Sequence, residues 1–187
     1  MIVKDILKIT AEMAGENQTV LYFDEKGVDD LAFCEENARL LLRCYNLIVE
    51  ELALEYLPLK REEEVVSKQG KIYFSDLEFR PLRILNVRRK NGQKVPYKLV
   101  NDYLEVSNGE FIIEYNYRLE PAVEDDEVVY SDTVIGPYTL VYGMLSQYLL
   151  EKGRLSESDI YQDKYLSAIR ARIAEKRQLK IPGRRWI

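Results

Sequence analysis

The sequence predicts an α+β fold: a helical bundle from the N- and C-terminal helices with a small antiparallel β insertion between them. Three observations point to it. Apolar residues recur at alternating three- and four-residue steps over 29–57 and again over 137–178, the spacing of one helix face. Between Pro58 and residue 120 that period gives way to short runs of β-branched and aromatic residues separated by turn dipeptides. The strands are grouped between helices instead of alternating with them, which is the order of an α+β domain. The 187 residues read as a single domain, with N-terminal helices over 1–58, the β insertion over 59–120, a C-terminal αα-hairpin over 137–178 and an exposed arm over 179–187.

In chain order, Ile2, Val3, Ile6, Leu7 and Met13 predict a short amphipathic helix ending at Gly15. GENQTVLYFDEKG reads as a polar linker around Tyr22 and Phe23. The long helix over 29–57 is the spine, roughly 40 Å at 1.5 Å per residue. Leu31, Cys34, Ala38, Leu41, Tyr45, Ile48, Leu52 and Tyr56 form its stripe, widened by Leu42 and Val49. Asp29 or Asp30 can cap its first turn, and Pro58 stops it because the ring cannot continue a helix. KREEE over 60–64 reads as a charged linker. Gln69-Gly70, Asn91-Gly92 and Asn108-Gly109 then predict hairpin turns joining five or six short antiparallel strands, with Phe111, Ile113, Tyr115 and Tyr117 on one face. Pro96 confines its own strand to an edge or a bulge.

Beyond the acidic run Glu124, Asp125, Asp126 and Glu127, Pro137 suits a first helical position. Leu140, Val141, Met144, Leu145, Tyr148 and Leu149 give the following helix its stripe, and Gly153 ends it. Ser156 with Asp159 reads as a capping box, and Leu155 with Ile160 as the matching hydrophobic staple, of a second helix. That helix turns Tyr161, Tyr165, Ile169 and Ile173 inward. Pro182-Gly183 breaks LKIPGRRWI into an exposed arm.

Composition narrows the chemistry. There is no histidine, which removes the commonest general base, the commonest metal ligand and the Ser-His and Cys-His nucleophile pairs. Cys34 and Cys44 lie ten helical residues apart, roughly 15 Å along the axis, beyond disulfide reach, and read as small buried hydrophobes. No Walker loop, GxSxG or GxGxxG is present. The acidic run lacks the interleaved spacing of a calcium loop, and neighbouring Glu50 and Glu51 point about 100° apart on a helix. Neither cofactor nor metal is expected. With 14 Tyr against 5 Phe, the rings suit shared interfaces, and half-buried core positions explain the same count. Net charge is −5, yet Arg170, Arg172, Lys176, Arg177, Lys180, Arg184 and Arg185 face Glu175 alone at the C-terminal end. That end suits an acidic partner, protein or nucleic acid, or a solvated helix end favoured by the dipole. Arg88, Arg89, Lys90 and Lys94 cluster at one hairpin tip without interleaved aromatics. No apolar run reaches membrane-span length and the N-terminus lacks a signal-peptide core, so a cytoplasmic protein without membrane contact is expected.

ELALEYLPL over 51–59, KIYFSDL over 71–77, VYGMLSQYLLEKGRLSESDIYQDKYLSAIRA over 141–171 and the closing RRW over 184–186 make the chain resemble the small head-to-tail connector, or adaptor, proteins of tailed bacteriophages and prophages. The resemblance implies a non-enzymatic virion component. Its copies form a homo-oligomeric ring, a dodecamer, beneath the portal protein, bridge it to tail proteins and line the DNA exit channel. It implies residence in the virion neck, and in the host cytoplasm before assembly. It also implies that the C-terminal segment docks on the portal, which assigns Lys180, Arg184, Arg185 and Trp186 to that role, and it leaves Arg88, Arg89, Lys90 and Lys94 as a tail-facing hairpin. The alternatives are a nucleic-acid-binding accessory protein using the basic C-terminal helix and the hairpin at 88–94, or a tail-completion protein.

Overall fold

The computed structural model describes residues 1–130 and 135–178, with 175–178 described by backbone only. The architecture is α+β. The chain divides into two compact units, one from Met1–Glu51 with Pro121–Ile187 and one from Leu52–Glu120.

The first unit is helical: α1 (Val3–Ala14), α2 (Asn17–Phe23), α3 (Leu31–Glu51), α4 (Pro137–Glu151) and α5 (Leu155–Gln178). α1, α3 and α4 pack on one another, α2 braces α1 and α3, and α5 lies along α4. α1 buries Val3, Ile6, Leu7, Thr10, Ala11 and Ala14, whereas Met13, expected on that stripe, is exposed. Thr10 takes the place one turn after Ile6 and returns its hydroxyl to the Ile6 carbonyl at 2.8 Å. Gly15 adopts φ +83° and lets the Glu16 amide reach the Ala11 carbonyl (2.9 Å), closing the helix. The expected linker after it contains α2, whose Thr19 and Phe23 are buried one turn apart.

α3 starts where Asp30 Oδ1 accepts the Phe33 amide (3.0 Å). Its stripe from Cys34 to Leu52 is buried as predicted, but Leu31 is exposed and Asn37 is buried instead. The α-helix does not continue to residue 57. It widens into a π turn over Leu52–Tyr56, closed by the Leu57 amide on the Leu52 carbonyl at 2.6 Å, just before Pro58 ends the ladder. The acidic run serves α1: the Asp126 and Glu124 carbonyls accept the Val3 and Lys4 amides at 2.9 and 2.8 Å, an end at which the helix dipole favours negative charge. Asn46 of α3 holds the same loop through both polar atoms, at 3.1 Å to the Ala122 carbonyl and 2.7 Å from its amide.

Gly143 lets the helices come close. A Cβ there would lie 3.0 Å from the Tyr165 ring and 3.1 Å from Ile48. The turn at Gly153 (φ +74°) leads straight into α5, which begins one residue before the predicted cap Ser156. The Arg154 carbonyl accepts the Ser158 amide (3.0 Å), and the Arg154 side chain pairs with Glu157 at 2.5 and 2.7 Å. Ser156 therefore sits inside the helix, and with Leu155 and Ile160 both exposed there is no staple. Tyr165 and Ile169 are buried as predicted, with Tyr161 and Ile173 half-buried.

The second unit holds β1 (Lys60–Val66), β2 (Lys71–Tyr73), β3 (Pro81–Arg88), β4 (Lys98–Val100), β5 (Tyr103–Glu105) and β6 (Glu110–Tyr117). They form two antiparallel three-stranded sheets, ordered β1-β6-β3 and β2-β5-β4. The chain turns at Gln69-Gly70 and Asn91-Gly92 and bends at Asn108-Gly109, yet the strands on either side part company. At Gln69-Gly70, both residues take positive φ (55° and 76°), as a tight hairpin turn requires, but β1 goes on to β6 and β2 to β5. After Asn91-Gly92 pairing lasts only to Val95, whose amide meets the Val87 carbonyl at 2.9 Å, and Pro96 stops it. At Asn108-Gly109, the Gly109 amide is tied to Ser67 Oγ (3.0 Å), at the end of β1. Residues 60–64 are strand, not linker: β1 pairs with β6 from Lys60↔Asn116 to Val66↔Glu110. Charge there suits an edge strand, since it discourages pairing with a foreign chain. The core of this unit is Ile72, Leu77, Val87, Leu104, Phe111, Ile113 and Tyr115, with Tyr117 partly buried beside it.

Candidate functional site

The β unit carries the predicted cationic hairpin. The turn closed by Arg89 N–H on the Gln93 carbonyl (2.9 Å) does bring Arg88, Arg89, Lys90 and Lys94 together. Two of these cations are already matched by acids from neighbouring strands. Arg88 Nη2 lies 2.7 Å from Glu62 Oε2, and Lys90 Nζ sits between Glu64 and Glu110, 3.0 Å from each. Hydrogen bonds to Glu64 and then Glu110 hold the Lys90 ammonium above its usual range. Arg61 is paired with Glu63 (3.5 Å) and Glu78 and lies 5.4 Å from the Phe79 ring, while Tyr115 donates its hydroxyl to Glu63. Elsewhere on this unit an open groove of about 490 Å³ runs between β3 and β4, lined by apolar Leu82, Ile84, Tyr97 and Leu99, with Arg83 at its rim.

In the helical unit a buried polar network joins three helices. Asn37 of α3 gives its amide hydrogens to Glu16 and Thr19 (3.3 Å each), and its carbonyl accepts from Lys152 (2.8 Å) and Tyr148 (3.4 Å). Tyr148 also donates to Glu16 at 2.7 Å, and burial followed by that bond pushes its hydroxyl far above the ordinary range. Tyr148 thus stays a protonated donor that holds its partners in place. Sequence reasoning passed over Asn37 because it lies inside an apolar stripe. The visible signal was its position three residues after Cys34 and four before Leu41, on the buried face.

Beside this network opens a groove of about 460 Å³ lined by Glu36, Asn37, Arg39, Leu40, Arg43, Glu151 and Lys152. Arg43 pairs with Glu151 at 2.8 Å and Arg39 with Glu35 at 3.5 Å. Lys152 Nζ lies over the Phe33 and Tyr148 rings, at 5.5 and 5.4 Å. On the side of α5, the Tyr138, Tyr142 and Tyr161 rings follow one another in tilted pairs at 6.3 and 6.1 Å, and Lys164 covers the last two. These arrangements suit recognition of another macromolecule by apolar contact and charge.

Lys180, Arg184, Arg185 and Trp186 lie outside the described residues. Among the described residues, no cluster of three or more His, Cys, Asp or Glu could hold a metal ion, and no helix is long and apolar enough to cross a membrane. Cys34 and Cys44 are buried free thiols, and burial pushes Cys44 up to about 11. No protein-family model matches the chain, and no curated protein matches it.

Proposed function

We propose that this chain is a structural adaptor of a tailed-phage or prophage neck: a ring subunit that joins the portal to the tail and lines the DNA exit channel. The reading starts from the resemblance of the segments at 51–59, 71–77, 141–171 and 184–186 to such adaptors. The observation that carries it furthest is the apolar exposure of the helical unit: Phe33 and Leu47 on α3, Leu150 on α4, and Leu155 and Ile160 on α5 each leave about half of their surface to solvent. A subunit that closes a ring must offer two different surfaces to identical neighbours.

In this reading the basic arm with Lys180, Arg184, Arg185 and Trp186 docks on the portal, since Arg and Trp are the residues that most often dominate interfaces. The hairpin at Arg88, Arg89, Lys90 and Lys94 faces the tail. The acidic body keeps passing DNA from adhering, because like charge disfavours contact. A nucleic-acid-binding role is the second reading, and the pairing of Arg88 and Lys90 with Glu62, Glu64 and Glu110 weighs against it, since phosphate would have to displace those carboxylates.

The test is a pull-down of the tagged chain against the products of its neighbouring genes, followed by negative-stain imaging. The expected result is a portal-like protein carrying a stacked ring. Recovery of nucleic acid alone, lost on adding salt, would replace this reading with the second one.

A further inference from the structure

We infer that the slot between β3 and β4 receives an extended, acidic peptide segment of another protein, held along the two sheet edges that flank it. The neck reading gives this slot no role and assigns only the hairpin at its end.

The slot exists because one hairpin fails to close. From the turn at Asn91-Gly92 the two arms pair only as far as Val87 and Val95, and Pro96, which has no N–H to give, ends the ladder. Beyond that point β3 is the outer strand of one sheet and β4 the outer strand of the other. Among the described residues no backbone hydrogen bond joins 82–86 to 97–100. Two free edges therefore flank the open groove of about 490 Å³, and a free edge is a template for an extended chain. The groove also offers apolar surface: Leu82, Tyr97 and Leu99 are 46%, 39% and 62% exposed. The register of β3 on β6 skips Leu82. That bulge lets Leu82, Arg83 and Ile84 all line the groove, which strict alternation would not allow.

Charge selects the kind of chain that fits. From Arg80 to Asn101 the sequence carries seven Lys or Arg and no Asp or Glu, although the whole chain has a net charge of −5. Three of these cations are matched by acids of neighbouring strands: Arg88 by Glu62, Lys90 by Glu64 and Glu110, and Lys98 by Glu105 at 3.9 Å. Arg80, Arg83, Arg89 and Lys94 are exposed and form no ion pair among the described residues. Arg83 is the one charged residue lining the groove, Arg80 adjoins its Pro81 end, and Arg89 and Lys94 stand at the hairpin end. A segment with apolar side chains at alternate positions and carboxylates at both ends complements this surface. Phosphates would answer the same cations. The lining, however, is mainly aliphatic, with Leu82, Ile84, Leu99 and Val100, and the free edges offer a peptide backbone a ladder that a nucleic-acid strand cannot use.

The test titrates a blocked, fluorescent peptide of alternating Val and Thr, flanked by paired Glu at each end, with the full chain and reads anisotropy. Binding should saturate, and the same peptide with Lys in place of Glu should bind at least about tenfold more weakly. Arg83→Glu and Leu99→Asp, both at exposed positions, should each weaken the acidic peptide by about tenfold, with circular dichroism checking each fold. Hydrogen exchange on the wild-type complex should show slowed amides over 82–86 and 97–100 and unchanged ones in β1. Absence of saturable binding, equal binding of the Lys peptide, variants that bind as wild type does, or protection confined to other strands would overturn the inference. So would displacement of the peptide by a single-stranded oligonucleotide, which would hand the slot to nucleic acid. Self-association in sedimentation velocity that Arg83→Glu and Leu99→Asp abolish would make a second copy the occupant, and would overturn it equally.

Discussion

In the helical unit the organising polar groups are inside, whereas in the β unit they are outside. Asn37 and Tyr148 are almost wholly buried, and between them they reach Glu16, Thr19 and Lys152 across three helices. The β unit keeps Glu62–Arg88 and the Glu64–Lys90–Glu110 bridge on its surface, over a small apolar cluster centred on Phe111, Ile113 and Tyr115. Burial makes a polar partner obligatory, so the inner network specifies how the helices line up. Exposed pairs are screened by water and contribute little, so the outer ladder guards an edge strand and keeps the sheet soluble while packing holds it together.

The contrast predicts that the β unit stands or falls on its small core. Phe111→Ala removes a fully buried ring from that cluster and should cost about 3–5 kcal/mol. Hydrogen exchange read by mass spectrometry should then show β6 and β3 amides exchanging early while α3 and α4 stay protected. Equal loss of protection in both units would mean that they unfold as one body and that the division has no energetic meaning.

The helical unit should begin to lose stability in alkali at lower pH than the β unit, where burial also holds the Tyr115 hydroxyl above its usual range. Burial pushes Cys44 up to about 11 from 9.0 and Tyr45 up to about 12 from 10.0. Above their ordinary values the unfolded chain sheds these protons while the folded chain keeps them, so the unfolded state binds fewer protons and stability falls as pH rises. The loss should begin near pH 9 and grow to roughly 2–3 kcal/mol by pH 11 from Cys44 alone, with Tyr45 adding to it. Urea melts of the helical signal at pH 8 and 11 measure it. Cys44→Ala should flatten the profile between those values, and an unchanged slope would remove Cys44 as its source.

What could be read from the sequence follows the range over which each signal acts. α1, α3 and α4 show a 3.6-residue period long enough to identify, and their stripes are the observed core. α2 is too short for its period to register, and Arg154 with Glu157 starts α5 one residue ahead of the capping box suggested by Ser156 and Asp159. Asn91-Gly92 and its fellow dipeptides report where the chain reverses, a local property, but which strand pairs with which is settled by distant residues. Hence β1 and β2 flank a correct turn and join different sheets. The same limit holds for the site. The cluster of Arg88, Arg89, Lys90 and Lys94 was visible in sequence, whereas the carboxylates that match two of them arrive from β1 and β6 by register alone.

The smallest expected effect falls on that ladder. Lys90→Ala deletes both of its ion pairs at once, leaving Glu64 and Glu110 without their shared cation. All three side chains are more than half exposed, so water already solvates the separated charges nearly as well as the pair. The urea midpoint of the β unit should therefore stay where it is, in low salt and in high salt alike. What should change is the edge: β1 loses a cation that neutralised its glutamates, and precipitation near the isoelectric point should shift downward in pH with the added net negative charge. A midpoint that dropped as far as the one for Phe111→Ala would mean that surface charge, and not the apolar cluster, holds these strands, and the contrast between the two units would disappear.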